Sequence, residues 1–193
     1  MGLRKIMIYL WSIVDPLYFA CTRLQYIHRE DGEPCVFRVR LTSYKGHPVV
    51  LSDGTRIQKN DVLVKIHLHY VRILKEVQSM TSDYRKGAFF YKQIRDSLPY
   101  LAYYVKNHWK AQQIKGIIGI TMLDSDTLAA KLGFERHRIK NKIYKFIKQM
   151  IQYPIYYLSH VNQPSHHKHK VNIQYLFMSK NILLQKYDRL KGA

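Results

Sequence analysis

Val36-Phe37-Arg38-Val39-Arg40-Leu41, Val49-Val50-Leu51-Ser52-Asp53-Gly54-Thr55-Arg56-Ile57 and Asp61-Val62-Leu63-Val64-Lys65-Ile66-His67-Leu68-His69-Tyr70 decide the fold class. The first alternates: Val36, Arg38 and Arg40 point one way, Phe37, Val39 and Leu41 the other, the period of a half-buried strand. Lys45-Gly46-His47-Pro48 reads as a turn and Val49-Val50-Leu51 as a second short strand. Asp53-Gly54 is a hairpin signal, because a tight turn of this kind needs positive φ. Lys59-Asn60-Asp61 makes another turn, and Val62 to Tyr70 a third, longer strand. Val62, Val64, Ile66 and Leu68 form one side of it; Lys65, His67 and His69 form the other. If the long strands pair in register, Arg38, Arg40, Lys65 and His67 share a face. Such a row repels itself unless something anionic sits there, which makes it the first candidate binding site.

Outward from this β module (about 34–70), the spacing predicts a mixed remainder. Leu3, Ile6, Leu10, Ile13, Leu17 and Leu24 recur at helical spacing, predicting a helix over 3–27 kinked at Pro16. Its other side carries Tyr9, Trp11, Tyr18 and Phe19, so it is either buried or laid in a membrane interface. Asp15-Pro16 interrupts the run, which falls short of the ~20 residues a membrane span needs. No small-x-small cleavage site follows. A short helix over 71–80 precedes one over 84–113, capped by Ser82 or Asp83, broken at Pro99 and carrying Phe89, Phe90, Ile94, Leu98, Leu101 and Val105 as its stripe. Ile117 to Leu123 is a strand. Asp124-Ser125-Asp126 caps a helix that ends at Gly133, and Phe134 to Arg138 is a strand. Arg138 to Tyr153 reads as a basic amphipathic helix ending before Pro154. A strand over 171–178 and a helix capped by Ser179 complete one α+β domain over 1–193.

The chain carries 32 Lys plus Arg against 13 Asp plus Glu, a net charge of +19. No Asp or Glu lies between Glu135 and Asp188. This balance favours polyanions: anionic lipid, an envelope polymer or nucleic acid. Arg138, Lys142, Lys145 and Lys148 on the basic helix join Arg38, Arg40, Lys65 and His67 as candidate anion-binding residues. Cys21 and Cys35 read as two partly buried free thiols, which places the chain in a reducing, cytoplasmic setting.

Nothing here specifies a reaction. His67 and His69 share a strand face but lack the further ligands a zinc site needs, and His166, His167 and His169 read as a solvated loop. Of the candidate carboxylates, Asp53 and Asp61 belong to turns, and Asp124 and Asp126 to a helix cap. Gly54, Gly119 and Gly133 are structural. Nucleophile elbow, phosphate loop and metalloprotease helix motifs are all missing, and no metal or cofactor is called for.

Arg38-Val39-Arg40, the Leu51-x-Asp53-Gly54 turn, Asp61-x-Leu63-Val64-x-Ile66-His67, Ser97-Leu98 with Leu101-Ala102, Gly119-Ile120-Thr121-Met122-Leu123 with Leu132-Gly133-Phe134-Glu135, and Ser179-Lys180 with Leu183-Leu184 and Tyr187 together resemble the YkoP-like family. These are small bacterial proteins of low-GC Gram-positive organisms, with similar domains fused to polysaccharide deacetylases. The resemblance implies a His at the position of His67, an accessory rather than catalytic domain, and a cell-envelope context with a functional link to a deacetylase. It departs over 136–175, where this chain is unusually basic and rich in Tyr and His. The expected function is a non-catalytic module bound peripherally at the inner face of the membrane, holding a lipid headgroup or envelope polymer. The alternatives are a nucleic-acid-binding module and a small enzyme assembled around His67 and Asp61.

Overall fold

A computed structural model describes residues 9, 13, 15–16, 19–77, 80, 82–108, 110–122, 126–159 and 172–189. The expectations for Leu3, Ile6, Leu10, Trp11, Leu17 and Tyr18, for Asp124, and for His166, His167 and His169 lie outside these residues.

The fold is α+β. Eight strands run β1 Gln25–His28, β2 Pro34–Ser43, β3 Val49–Val50, β4 Arg56–Ile57, β5 Val62–Leu68, β6 Ile114–Thr121, β7 Glu135–Arg138 and β8 Gln174–Ser179. The helices are α1 Tyr70–Val77, α2 Asp83–Asn107, α3 Asp126–Lys131, α4 Lys142–Ser159 and α5 Lys180–Tyr187. Six strands form a mixed sheet in the order β1-β2-β5-β6-β8-β7, while β3 and β4 pair separately. Only β5 and β6 run parallel in the large sheet. A parallel pair needs a long crossover, and α1 with α2 supplies it.

The β module is therefore not a separate unit: β2 and β5 are interior strands of the large sheet. The reason is visible in β2, where Val36, Phe37, Arg38 and Val39 are all buried. It is covered on both faces rather than on one. On the first face, Phe37, Val39, Val64, Ile117 and Met178 meet Leu98, Leu101, Ala102 and Val105 of α2 and Leu183 of α5 in the main core. On the second, the β3–β4 hairpin caps a smaller core of Tyr44, Leu51, Ile57, Leu63, Ile118 and Phe177. Its turn is the expected one: Gly54 has φ +80°, and Leu51 and Thr55 close it by a backbone hydrogen bond. Asp53 accepts from both Thr55 groups and from Ser179 Oγ at 2.5 Å, tying the hairpin to the start of α5. Asp61 likewise serves its turn, accepting from the Gln58 amide at 2.6 Å. In β6, a Cβ on Gly116 would come within 2.6 Å of the Met178 carbonyl oxygen, so the β6–β8 approach requires glycine there.

Several boundaries differ from expectation. The N-terminal helix does not reach Ile27. Residues 19–21 are helical, Arg23 turns with φ +53°, and Gln25–His28 joins the sheet edge as β1. Ile13, on the expected helical stripe, is exposed. Helix α2 passes through Pro99 and stops at Asn107. Proline removes one helical hydrogen bond, and the buried Leu98, Leu101 and Val105 on the same turns outweigh it. Helix α4 starts at Lys142, where Asn141 Oδ1 accepts from the Tyr144 amide, and continues past Pro154 to Ser159. Ile139, inside the expected helix range, is instead buried ahead of the helix.

Candidate anion-binding site

The β2–β5 register pairs Arg38 with His67 and Arg40 with Lys65. Alternation along each strand then puts all four on the second sheet face, away from the main core. Directly opposed side chains in such a ladder sit ~5 Å apart at Cβ. This is the juxtaposition that the strand periods predict. The face is not solvent-covered, however. The segment around Asp15 and Phe19 lies over one half of it, and α4 brings Lys148 towards the other.

The two halves are chemically different. Arg38, 3% exposed, donates to both carboxylate oxygens of Asp15, at 2.8 and 2.6 Å, and to Tyr26 Oη at 2.6 Å. Its guanidinium also lies over the rings of Phe19 and Tyr26. His69 Nε2 is 3.5 Å from the same carboxylate. Burial alone would raise the Asp15 pKa, but the hydrogen bonds from His69 and Arg38 override it and hold it well below the usual carboxylate range. Arg38 is thus committed to an internal partner. The counter-charge is Asp15, not Asp61 or Glu76: Asp61 pairs with Lys115 and Glu76 with Arg72.

The other half holds Arg40, Lys65, Lys148 and His67. Arg40 donates to the Thr22 carbonyl at 3.1 Å, while its buried Nε meets no acceptor. Lys148 lies over the Tyr144 ring. Among the described residues, no carboxylate pairs with Arg40, Lys65 or Lys148. Burial, with the charges of Lys148 and Arg40, pushes Lys65 down to about 8. Burial, with Lys65, Arg40, Lys148 and Arg38, pushes His67 down to about 3, so its imidazole is neutral at physiological pH. Burial and Arg40 also lower Lys148. Half-buried cations that depress one another form a region of positive potential without a counter-ion among the described residues.

The remaining candidates do not join them. Arg138 is exposed on the edge strand β7; pairing with Gln174 puts it on the opposite sheet face. Lys142 is exposed at the start of α4, and Lys145 donates to Asn172 Oδ1 at 2.8 Å. Only Lys148 of the basic helix reaches the cluster. Asp61 and His67 do not assemble a site, since six residues of extended chain separate them by ~20 Å. His69 lies against Asp15, whereas His67 is flanked by cations that disfavour its protonated form. Among the described residues no group of three or more potential metal ligands occurs. Cys35 is buried and Cys21 exposed, both as free thiols.

Sequence reasoning missed Asp15 as the organising carboxylate. The signal was present: it is the only acidic residue before Glu30, set in an apolar run, and a charge so placed needs a partner. Thr22 and Tyr26 carried no comparable mark.

Comparison with known proteins bears on the whole of this architecture. The family model described as the YkoP domain matches residues 4–187. The chain is 47% identical to "Uncharacterized protein YkoP" of Bacillus subtilis (strain 168) over 180 residues, covering 93% of this chain and 95% of that protein. No solved structure matches. A family match that takes in the β2–β5 ladder, α4 and the closing β8–α5 segment alike, joined to near-complete coverage of that relative, means that the chain belongs to the YkoP family.

Proposed function

We propose that this protein is a non-catalytic module of the cell envelope's inner face that binds an anionic partner in the Arg40–Lys65–Lys148 cluster. The observation that carries the reading is the absence, among the described residues, of any carboxylate paired with these three, beside an Arg38 whose charge Asp15 neutralises. A bound phosphate or carboxylate supplies the missing counter-charge, and Arg40 offers a planar fork for it. A lipid headgroup or a phosphate-bearing envelope polymer fits that chemistry, and work beside an envelope polysaccharide deacetylase fits the same setting.

The reading has a pH signature. An anion favours protonated Lys65, so binding is strongest below about 8 and weakens as pH rises through that value. The test is titration calorimetry with glycerol phosphate and with a soluble glycerol-phosphate polymer, with duplex DNA as competitor. Lys65→Met/Lys148→Met should lose about tenfold or more in affinity, or roughly 1.4 kcal/mol. Equal binding by the double variant would remove the cluster from the argument. Displacement by DNA of equal charge would move nucleic acid to first place.

A further inference from the structure

Helix α4 is amphipathic in the sense opposite to an ordinary surface helix. Ile143 is 74% exposed, Phe146 62%, Ile147 50%, Met150 61% and Ile151 48%. Their spacing is i, i+3, i+4, i+7, i+8, a continuous apolar stripe along one side. The polar side is the one turned to the protein: Lys145 reaches Asn172, and Lys148 reaches the cation cluster. Tyr144, on that inner side, stacks on Tyr175 of β8. A contiguous outward stripe of five large apolar side chains marks an interaction surface rather than a scatter of exposed hydrophobics.

We propose that this stripe docks the protein onto an anionic bilayer, with α4 lying in the plane of the interface. Charge selects this occupant. Lys140 and Lys142 are exposed just before and at the start of α4, and no acidic residue occurs from there to Asp188. A second copy would bring one +19 chain against another, with no carboxylates on this stretch to relieve them. An anionic headgroup layer matches the basic flank, and the acyl boundary beneath it matches the stripe. No helix among the described residues is long and apolar enough to cross a membrane. This surface lies on the other side of α4 from the cation cluster, so it stands or falls separately from the proposed headgroup or polymer site.

The experiment is co-sedimentation of the full chain with vesicles of phosphatidylcholine alone and of phosphatidylcholine mixed with phosphatidylglycerol, across a salt series. Phe146→Asp/Met150→Asp changes only exposed side chains, and circular dichroism verifies that the variant is folded. Wild type should bind the anionic vesicles, and the double variant should bind them at least about tenfold more weakly. The same variant should bind soluble glycerol phosphate as wild type does, whereas Lys65→Met/Lys148→Met should show the reverse pattern. Phe146→Trp should give blue-shifted fluorescence that brominated lipid quenches. Unchanged sedimentation of the double variant, or a tryptophan that brominated lipid fails to quench, overturns membrane docking. Concentration-dependent dimers that Phe146→Asp/Met150→Asp abolishes would overturn it too, by assigning the stripe to a second copy.

Discussion

Helices α2 and α4 carry the same kind of apolar period and put it to opposite use. On α2, Leu98, Leu101, Ala102 and Val105 are completely buried against the sheet. On α4, Ile143, Phe146, Ile147 and Met150 face outward, and a lysine faces in. The contrast extends to the charges beneath. Arg38 has a carboxylate and two rings around it, one of them the Tyr26 phenol; Arg40 and Lys65, the next pair along the same ladder, have no carboxylate among the described residues. One region is neutralised within the described residues, and the other is where we propose that an outside anion binds. An amphipathic period therefore reports that a stripe exists, not what covers it.

The largest expected effect tests the completed side. Leu101→Ala removes buried volume from the main core and should cost about 2–5 kcal/mol in chemical denaturation. Next is Asp15→Ala, which strands the buried Arg38 guanidinium and should cost about 3 kcal/mol. A near-neutral result there would show that Tyr26 and the rings alone hold Arg38, and the contrast between the two halves of the sheet face would weaken.

Lys65→Met should act with the opposite sign. It removes a cation whose charge is penalised in the fold, so the unliganded protein should gain roughly 1–3 kcal/mol at neutral pH while losing anion affinity. The sign with pH follows. Folded Lys65 releases its proton at about 8, the unfolded chain only near the ordinary lysine value of 10.5, so the unfolded state binds more protons between these values. Wild-type stability should rise with pH across that window, and the Lys65→Met profile should be flatter. On the acid side, His67 titrates near 3 when folded against 6.5 when unfolded. It therefore destabilises the fold as pH falls below about 6.5, and the loss of the depressed Asp15 carboxylate adds to this at lower pH. Urea titrations at stepped pH give both limbs.

The smallest effect completes the comparison. Phe146→Ala on α4 should change stability by less than about 0.5 kcal/mol, because its side chain is already in water. A loss comparable to that of Leu101→Ala would mean that the α4 stripe is covered in solution.

Much of the fold was legible because its signals are local. The β2 and β5 alternation, the Asp53-Gly54 turn, the Ser179 cap and Gly133 at φ +86° each depend on a few neighbouring residues, and each occurs as read. The candidate cluster was half legible: strand periods fixed which side chains could share a face, and the register aligned Arg38 with His67 and Arg40 with Lys65. The rest depended on distant partners. Pro99 was read as a break because its own chemistry is local, while the packing that keeps α2 continuous is not. Arg138 was grouped with the lysines of α4 by proximity in sequence, and the sheet placed it on the opposite face.

By itself, then, the sequence determined the α+β class, the central strands and their sidedness, and a charge balance without acidic relief between Glu135 and Asp188, because side-chain period and net charge are properties of the chain alone. Only the tertiary structure decided that Asp15 neutralises Arg38 while no carboxylate among the described residues reaches Lys65 or Arg40, and that α4 turns its lysine inward and its apolar stripe outward. Both depend on which segments, remote in sequence, pack over the second sheet face. Burial and pairing across such distances are set by the packed whole, not by any local pattern.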